Sequence, residues 1–110
     1  MDITTRSQAD VTVVAIAGNL DSNTSPQAQQ AFDAILSGGG RKVAVDCTAL
    51  DYISSAGLRV LLGTAKRLTA AGGGVRMFGL NETVREVFDI SGFSKILAVY
   101  PTESGALAGF

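Results

Sequence analysis

The sequence contains no histidine. That absence removes the commonest general base and the commonest transition-metal ligand. Ser–His–Asp and Cys–His catalysis are excluded with it. The single cysteine, Cys47, cannot form an intrachain disulfide, and without histidine one chain cannot build a Cys/His zinc site. Aromatic residues are scarce at 6%, and charge is sparse and balanced, with nine Lys and Arg against ten Asp and Glu. No global basic field therefore exists to hold nucleic acid or an acidic membrane surface. The apolar runs are too short to cross a bilayer, and Met1 to Arg6 lacks the basic-then-apolar order of a signal peptide. These absences lead us to expect a cytoplasmic protein with no nucleic-acid partner, no direct membrane insertion, no metal and no cofactor.

What is present suits one globular unit. The 110 residues are 46% hydrophobic and 17% charged, enough for a real core, and residues 1–110 read as a single domain. Val11 to Gly18 is β-branched and reads as a strand, with Ile3 to Ser7 as a shorter strand that turns antiparallel onto it. Asp21 to Pro26 is a polar turn with a helix start, where Thr24 and Gln27 have capping-box spacing and Pro26 fits the first turn. Ala28, Ala31, Phe32, Ile35 and Leu36 continue at helical spacing. Lys42 to Asp46 is a short apolar strand, followed by a polar turn that reaches Ser54. Leu58, Leu61, Leu62, Ala65 and Leu68 then mark one stripe of an amphipathic helix. Val75 to Leu80 is the next strand, Asn81 caps a third helix carrying Val84, Val87 and Phe88, and Ile96 to Tyr100 is the last strand, with a short helix after Pro101. Strands alternating with helices in this order predict parallel pairing through right-handed crossovers.

Several segments invite a chemical reading and mostly decline it. Gly38-Gly39-Gly40 and Gly72-Gly73-Gly74 each follow a helix, whereas a phosphate cradle needs a strand entering and a helix leaving, so they read as helix stops. Asp21, Asp46 and Asp51 lie at strand ends, where turn formation by Asp outweighs an acidic metal pocket. Arg59, Lys66 and Arg67 read as a solvated helix face and Cys47 as a packed small thiol. The pair Ser54-Ser55, immediately before the amphipathic helix, supports two readings. A hydroxyl there can cap the helix, and a phosphate added there meets unsatisfied N–H groups and the positive end of the helix dipole. Ala56-Gly57 follows, and a glycine in a first helical turn sacrifices propensity, as expected where the turn is tight or another molecule approaches closely.

The run Val45-Asp46-Cys47-Thr48-Ala49-Leu50-Asp51-Tyr52-Ile53-Ser54-Ser55-Ala56-Gly57-Leu58 resembles the signature of STAS domains, specifically the stand-alone anti-sigma-factor antagonists of bacteria. Ala17-Gly18-Asn19-Leu20-Asp21, Gly72 to Met77 and Val87 to Phe93 are similar to other elements of that family, in the same order. The resemblance implies an α/β fold: a STAS-like domain with a mixed, mostly parallel sheet of four to five strands and three to four helices. It also implies partner switching. Such an antagonist binds a GHKL-type serine-kinase anti-sigma factor and so frees a sigma factor. The kinase inactivates it by phosphorylating one serine, and a PPM-type serine phosphatase restores it. Against the usual D-S-[ST]-G-L signature, the modified serine corresponds to Ser55, with Ser54 as the alternative acceptor standing where the family has Asp, and Ala56 at the second hydroxyl position. The partner surface implied is Asp21, Ser54, Ser55, Ala56, Gly57 and Arg59, with Asp21 near Ser55 to orient its hydroxyl or select the partner. On this reading the protein is a substrate and binding module without enzymatic activity. The alternative is a constitutive STAS scaffold subunit of a transporter complex.

Overall fold

A computed structural model describes residues 1–110. Six strands and four α-helices follow one another as β1 (Asp2–Gln8), β2 (Val11–Leu20), α1 (Ser25–Ser37), β3 (Lys42–Asp46), β4 (Leu50–Ile53), α2 (Ser55–Ala70), β5 (Gly74–Phe78), α3 (Glu82–Ser91), β6 (Ala98–Tyr100) and α4 (Glu103–Leu107), with a 3-10 turn at Phe93–Lys95 before β6. The main sheet runs β1-β2-β3-β5-β6. Only β1 is antiparallel to its neighbour, and the remaining pairings are parallel.

Alternation along the strands sorts the core into two layers. Val43, Val45, Val75 and Met77 point to one face, where they meet Ala28 and Phe32 of α1, Leu58, Leu61 and Leu68 of α2, and Val84 and Phe88 of α3. Ala44 and Phe78 point to the other, where Val11, Val13 and Ala106 of α4 complete a smaller cluster. Arg76 closes that second face: its guanidinium lies over the Phe110 ring, 4.3 Å from the centroid, and donates to the carbonyls of Ala106 and Ala108.

The α/β class and the mixed, mostly parallel sheet are those expected, but the stretch after Asp46 is not simply a polar turn. Asp46 Oδ1 accepts from the Thr48 N–H and hydroxyl at 2.9 and 2.7 Å, and the chain then re-enters extended structure as β4. This strand exists because β2 is long. The first half of β2 pairs with β3 up to Ala15 opposite Asp46, and its second half pairs with β4, from Gly18 opposite Leu50 to Leu20 opposite Ile53. The change of partner needs a register shift at Gly18, whose φ of +94° suits glycine.

Smaller departures have local causes. Thr24 stands at the start of α1 but does not build the expected capping box, because its hydroxyl donates to the Asn19 carbonyl and accepts from the Asp21 N–H. The last strand is shorter than Ile96 to Tyr100, since Phe93–Lys95 coils first, and the C-terminal helix is limited to five residues.

Candidate functional site

Two strand-to-helix turns lie side by side at one end of the sheet. Parallel pairing of β2 and β4 puts Leu20 opposite Ile53, so Asp21 leaves its strand beside Ser54. The Ser54 N–H donates to the Leu20 carbonyl at 2.9 Å, which ties the two turns together through the backbone. β4 is held on its other side by Asn81, whose amide donates to the Leu50 carbonyl at 3.0 Å while its Oδ1 accepts from Val84 N–H and caps α3.

The two serines have separate tasks. Ser54 is the N-cap of α2: its backbone is extended, with φ −98° and ψ 175°, and its hydroxyl accepts from the Gly57 N–H at 3.4 Å. Ser55 is the first helical residue. It is exposed, and its hydroxyl has no hydrogen-bond partner within the protein. A serine at this position is helical in backbone but not consumed by the cap, so its oxygen is free for chemistry or contact.

Of the two uses its sequence position suggested, Gly57 serves the tight turn. It is buried, and a Cβ there would meet Leu20 Cγ at 2.7 Å, Ile53 Cγ1 at 2.9 Å and the Leu20 carbonyl at 2.9 Å. Glycine is required so that the first turn of α2 can press against the ends of β2 and β4. It belongs beneath the surface and not on it, and Ala56 is half-buried beside it. Arg59, one turn further along α2, is exposed.

Asp21 stands next to the serine turn but is not bonded to Ser55. Its Oδ1 accepts from the N–H groups of Asn23 and Thr24 at 2.9 and 3.2 Å, and its carbonyl accepts from the Ser25 hydroxyl at 2.5 Å. Its side chain builds its own turn, which is the structural use of Asp at such sites. Orientation of the Ser55 hydroxyl by this carboxylate has no counterpart in the hydrogen bonding.

Tyr52 was not singled out from sequence. It lies on β4 with 45% of its surface exposed, two residues before Ser54, while Ile53 points inward and is fully buried. An exposed ring beside a free hydroxyl suits a protein contact. No in–out alternation marks it in the sequence, because β4 is buried only at Leu50 and Ile53. Cys47, by contrast, is inert: burial, reinforced by the Asp46 charge, pushes its thiol up to about 12. No three His, Cys, Asp or Glu side chains converge anywhere in the molecule.

The model of the STAS domain matches residues 2–106. The chain belongs to the STAS domain family. Among curated proteins it is similar to BtrV of Bordetella bronchiseptica, provisionally named an anti-sigma factor antagonist, at 40% identity over 98 residues, covering 89% of this chain and 84% of that protein. The anti-sigma F factor antagonist of Paenibacillus polymyxa is 32% identical over 98 residues, 88% of this chain and 84% of that one. Among solved structures, an anti-sigma factor antagonist from Mycobacterium paratuberculosis superposes with a TM-score of 0.89 at 25% identity, covering 96% of this chain and 90% of that one. No helix of this STAS domain is long and apolar enough to cross a membrane.

Proposed function

We propose that this STAS domain is a partner-switching regulator. Unphosphorylated, it binds a GHKL-type serine-kinase anti-sigma factor and thereby frees a sigma factor. Phosphorylation of Ser55 ends that binding, and a PPM-type serine phosphatase reverses it. The protein acts in the cytoplasm as a binding module and a substrate, not as an enzyme. The observation that carries the reading is the division of labour between the serines, in which Ser54 caps α2 and Ser55 is exposed with a free hydroxyl. The names of the relatives support the same class of partner.

In the switching step the Ser55 oxygen attacks the γ-phosphorus of a nucleoside triphosphate held by the kinase. An O–P bond forms, the bond to the nucleoside diphosphate breaks, and the hydroxyl proton leaves to a base of the kinase. The product carries about −1.5 to −2 extra charge in the middle of the contact surface. At the first position of α2 that charge is compatible with the fold. Against a partner packed on a neutral hydroxyl it is not, because desolvating it without a paired cation is costly. Binding is lost and the fold is kept.

The test is to incubate the protein with the kinase and ATP, locate the phosphate by mass spectrometry, and measure kinase binding by Ser55→Asp. Phosphate on Ser55 and binding at least tenfold weaker, in a protein with an unchanged circular dichroism spectrum, is the expected result. Undiminished binding by folded Ser55→Asp overturns it and favours a constitutive scaffold. Modification at Ser54 instead would relocate the switch to the capping residue, contrary to this proposal.

A further inference from the structure

We infer that Arg59 is a positioning residue for the modified state, pairing within α2 with a phosphate carried on Ser55; the inference rests on the phosphorylation of Ser55 proposed above. Ser55 and Arg59 are four residues apart in the same helix and both are exposed, so their side chains are neighbours on one face. Helical side chains lean toward the N-terminus, and a long side chain covers the turn that precedes its own Cα. Arg59 therefore reaches back over Ser55. The order is also the favourable one, an anion on the N-terminal side of its cation.

Arg59 has no other anion to serve. The sequence of α2 contains three cations and no Asp or Glu. Arg67 is bound by Asp33 of α1 at 2.5 Å. The three ion pairs of the molecule are Arg6–Glu103, Lys42–Asp10 and Arg67–Asp33, and Arg59 is in none of them. A cation placed in the second turn of a helix faces the unfavourable end of the dipole, and within its own helix nothing offsets this in the unmodified protein. The other charged groups near Ser55 in sequence or register, Asp21 and Asp51, are carboxylates that repel a phosphate. The guanidinium offers a planar fork of N–H donors suited to phosphate oxygens, so the match is one of shape as well as charge.

The consequence is a switch with two effects. The phosphate adds negative charge to the surface, and it also holds in cis the cation that would otherwise meet a partner's carboxylate. Removing Arg59 leaves the first effect and abolishes the second.

The experiment uses the full chain with phosphoserine installed at position 55 during synthesis, so that no kinase is required. The second ionisation of the phosphate is followed by phosphorus NMR in the wild type, Arg59→Gln, Arg59→Lys and Lys66→Gln. A paired guanidinium stabilises the dianion, so Arg59→Gln raises the midpoint by about 0.3 pH unit at low salt. Arg59→Lys keeps most of the wild-type value. Lys66→Gln, about 16 Å from Ser55 along the helix, leaves it unchanged. Equal midpoints for wild type and Arg59→Gln overturn the inference, as does a shift of equal size in Lys66→Gln, which would make the effect a general helix charge. A kinase that binds the phosphorylated and unmodified proteins equally well refutes the switch, while the titration still decides the pairing.

Discussion

The turns that begin α1 and α2 are neighbours built from similar residues, yet they end in opposite states. In the first, Asp21, Thr24 and Ser25 bond to one another and to nearby backbone, so that each of these side chains has a partner inside the turn. In the second, Ser54 alone performs the capping and Ser55 is left over. A polar turn can thus be closed, in which case it is structure, or it can hold one group in reserve. The difference lies in the first helical serine of each: Ser25 donates to the Asp21 carbonyl, whereas no acceptor stands behind Ser55.

The largest way to break this contrast is through Gly57, because it lets the second turn dock against the first. Gly57→Ala inserts a methyl within 3 Å of Leu20 and Ile53, and overpacking of this kind costs about 2 kcal/mol. Urea denaturation should show a lower midpoint with an unchanged slope. A smaller effect sharpens the contrast between the serines. Ser54→Ala removes the cap and should cost about 0.5–1 kcal/mol, toward the low end of cap losses because the bond is long at 3.4 Å. Ser55→Ala should leave thermal stability within about 0.5 kcal/mol of wild type, since nothing in the fold uses its hydroxyl. If Ser55→Ala proves the more damaging, the assignment of tasks is reversed.

The smallest effect concerns the tie between the helices that leave these turns. Hydrogen bonding to Arg67, then to Gln29, holds the Asp33 carboxyl below its ordinary value of 3.8. The folded state thus favours the ionised form. The stabilisation is present above that ordinary value and fades as pH falls through the lowered one. The pair is exposed and its contribution small. Asp33→Asn should slightly flatten the acid limb of a stability-against-pH curve and leave neutral pH nearly untouched.

Much of this fold is legible in the chain because its period changes are clear. β-branched runs, helical stripes and glycine stops delimit β2, α1, β3, α2 and β5 in order. β4 was not legible, since its four residues Leu50, Asp51, Tyr52 and Ile53 are buried only at the two ends and sit inside a polar stretch. It becomes a strand only because β2 extends past β3 to meet it, a fact of tertiary structure. Thr64 escaped for the opposite reason. It is a polar residue on the buried face of α2, and its hydroxyl finds no partner there. For the site, the position of the serines before a helix was readable from spacing. Which serine caps depends on where the helix begins by a single residue, and the packing role of Gly57 depends on Leu20, far away in sequence.

Asn81 gives β4 a further property. A short strand at the margin of a sheet ordinarily offers its free carbonyls and amides to any extended peptide. Here the carbonyls of Leu50 and Asp51 are both within reach of the Asn81 amide, at 3.0 and 3.4 Å, and Asn81 is the N-cap of α3. The margin is covered there by the side chain that caps the next helix. A protein recognising this end of the domain therefore meets a strand edge already occupied in part by the Asn81 side chain. The side chains present the remaining surface, and the phosphate proposed on Ser55 would rewrite it.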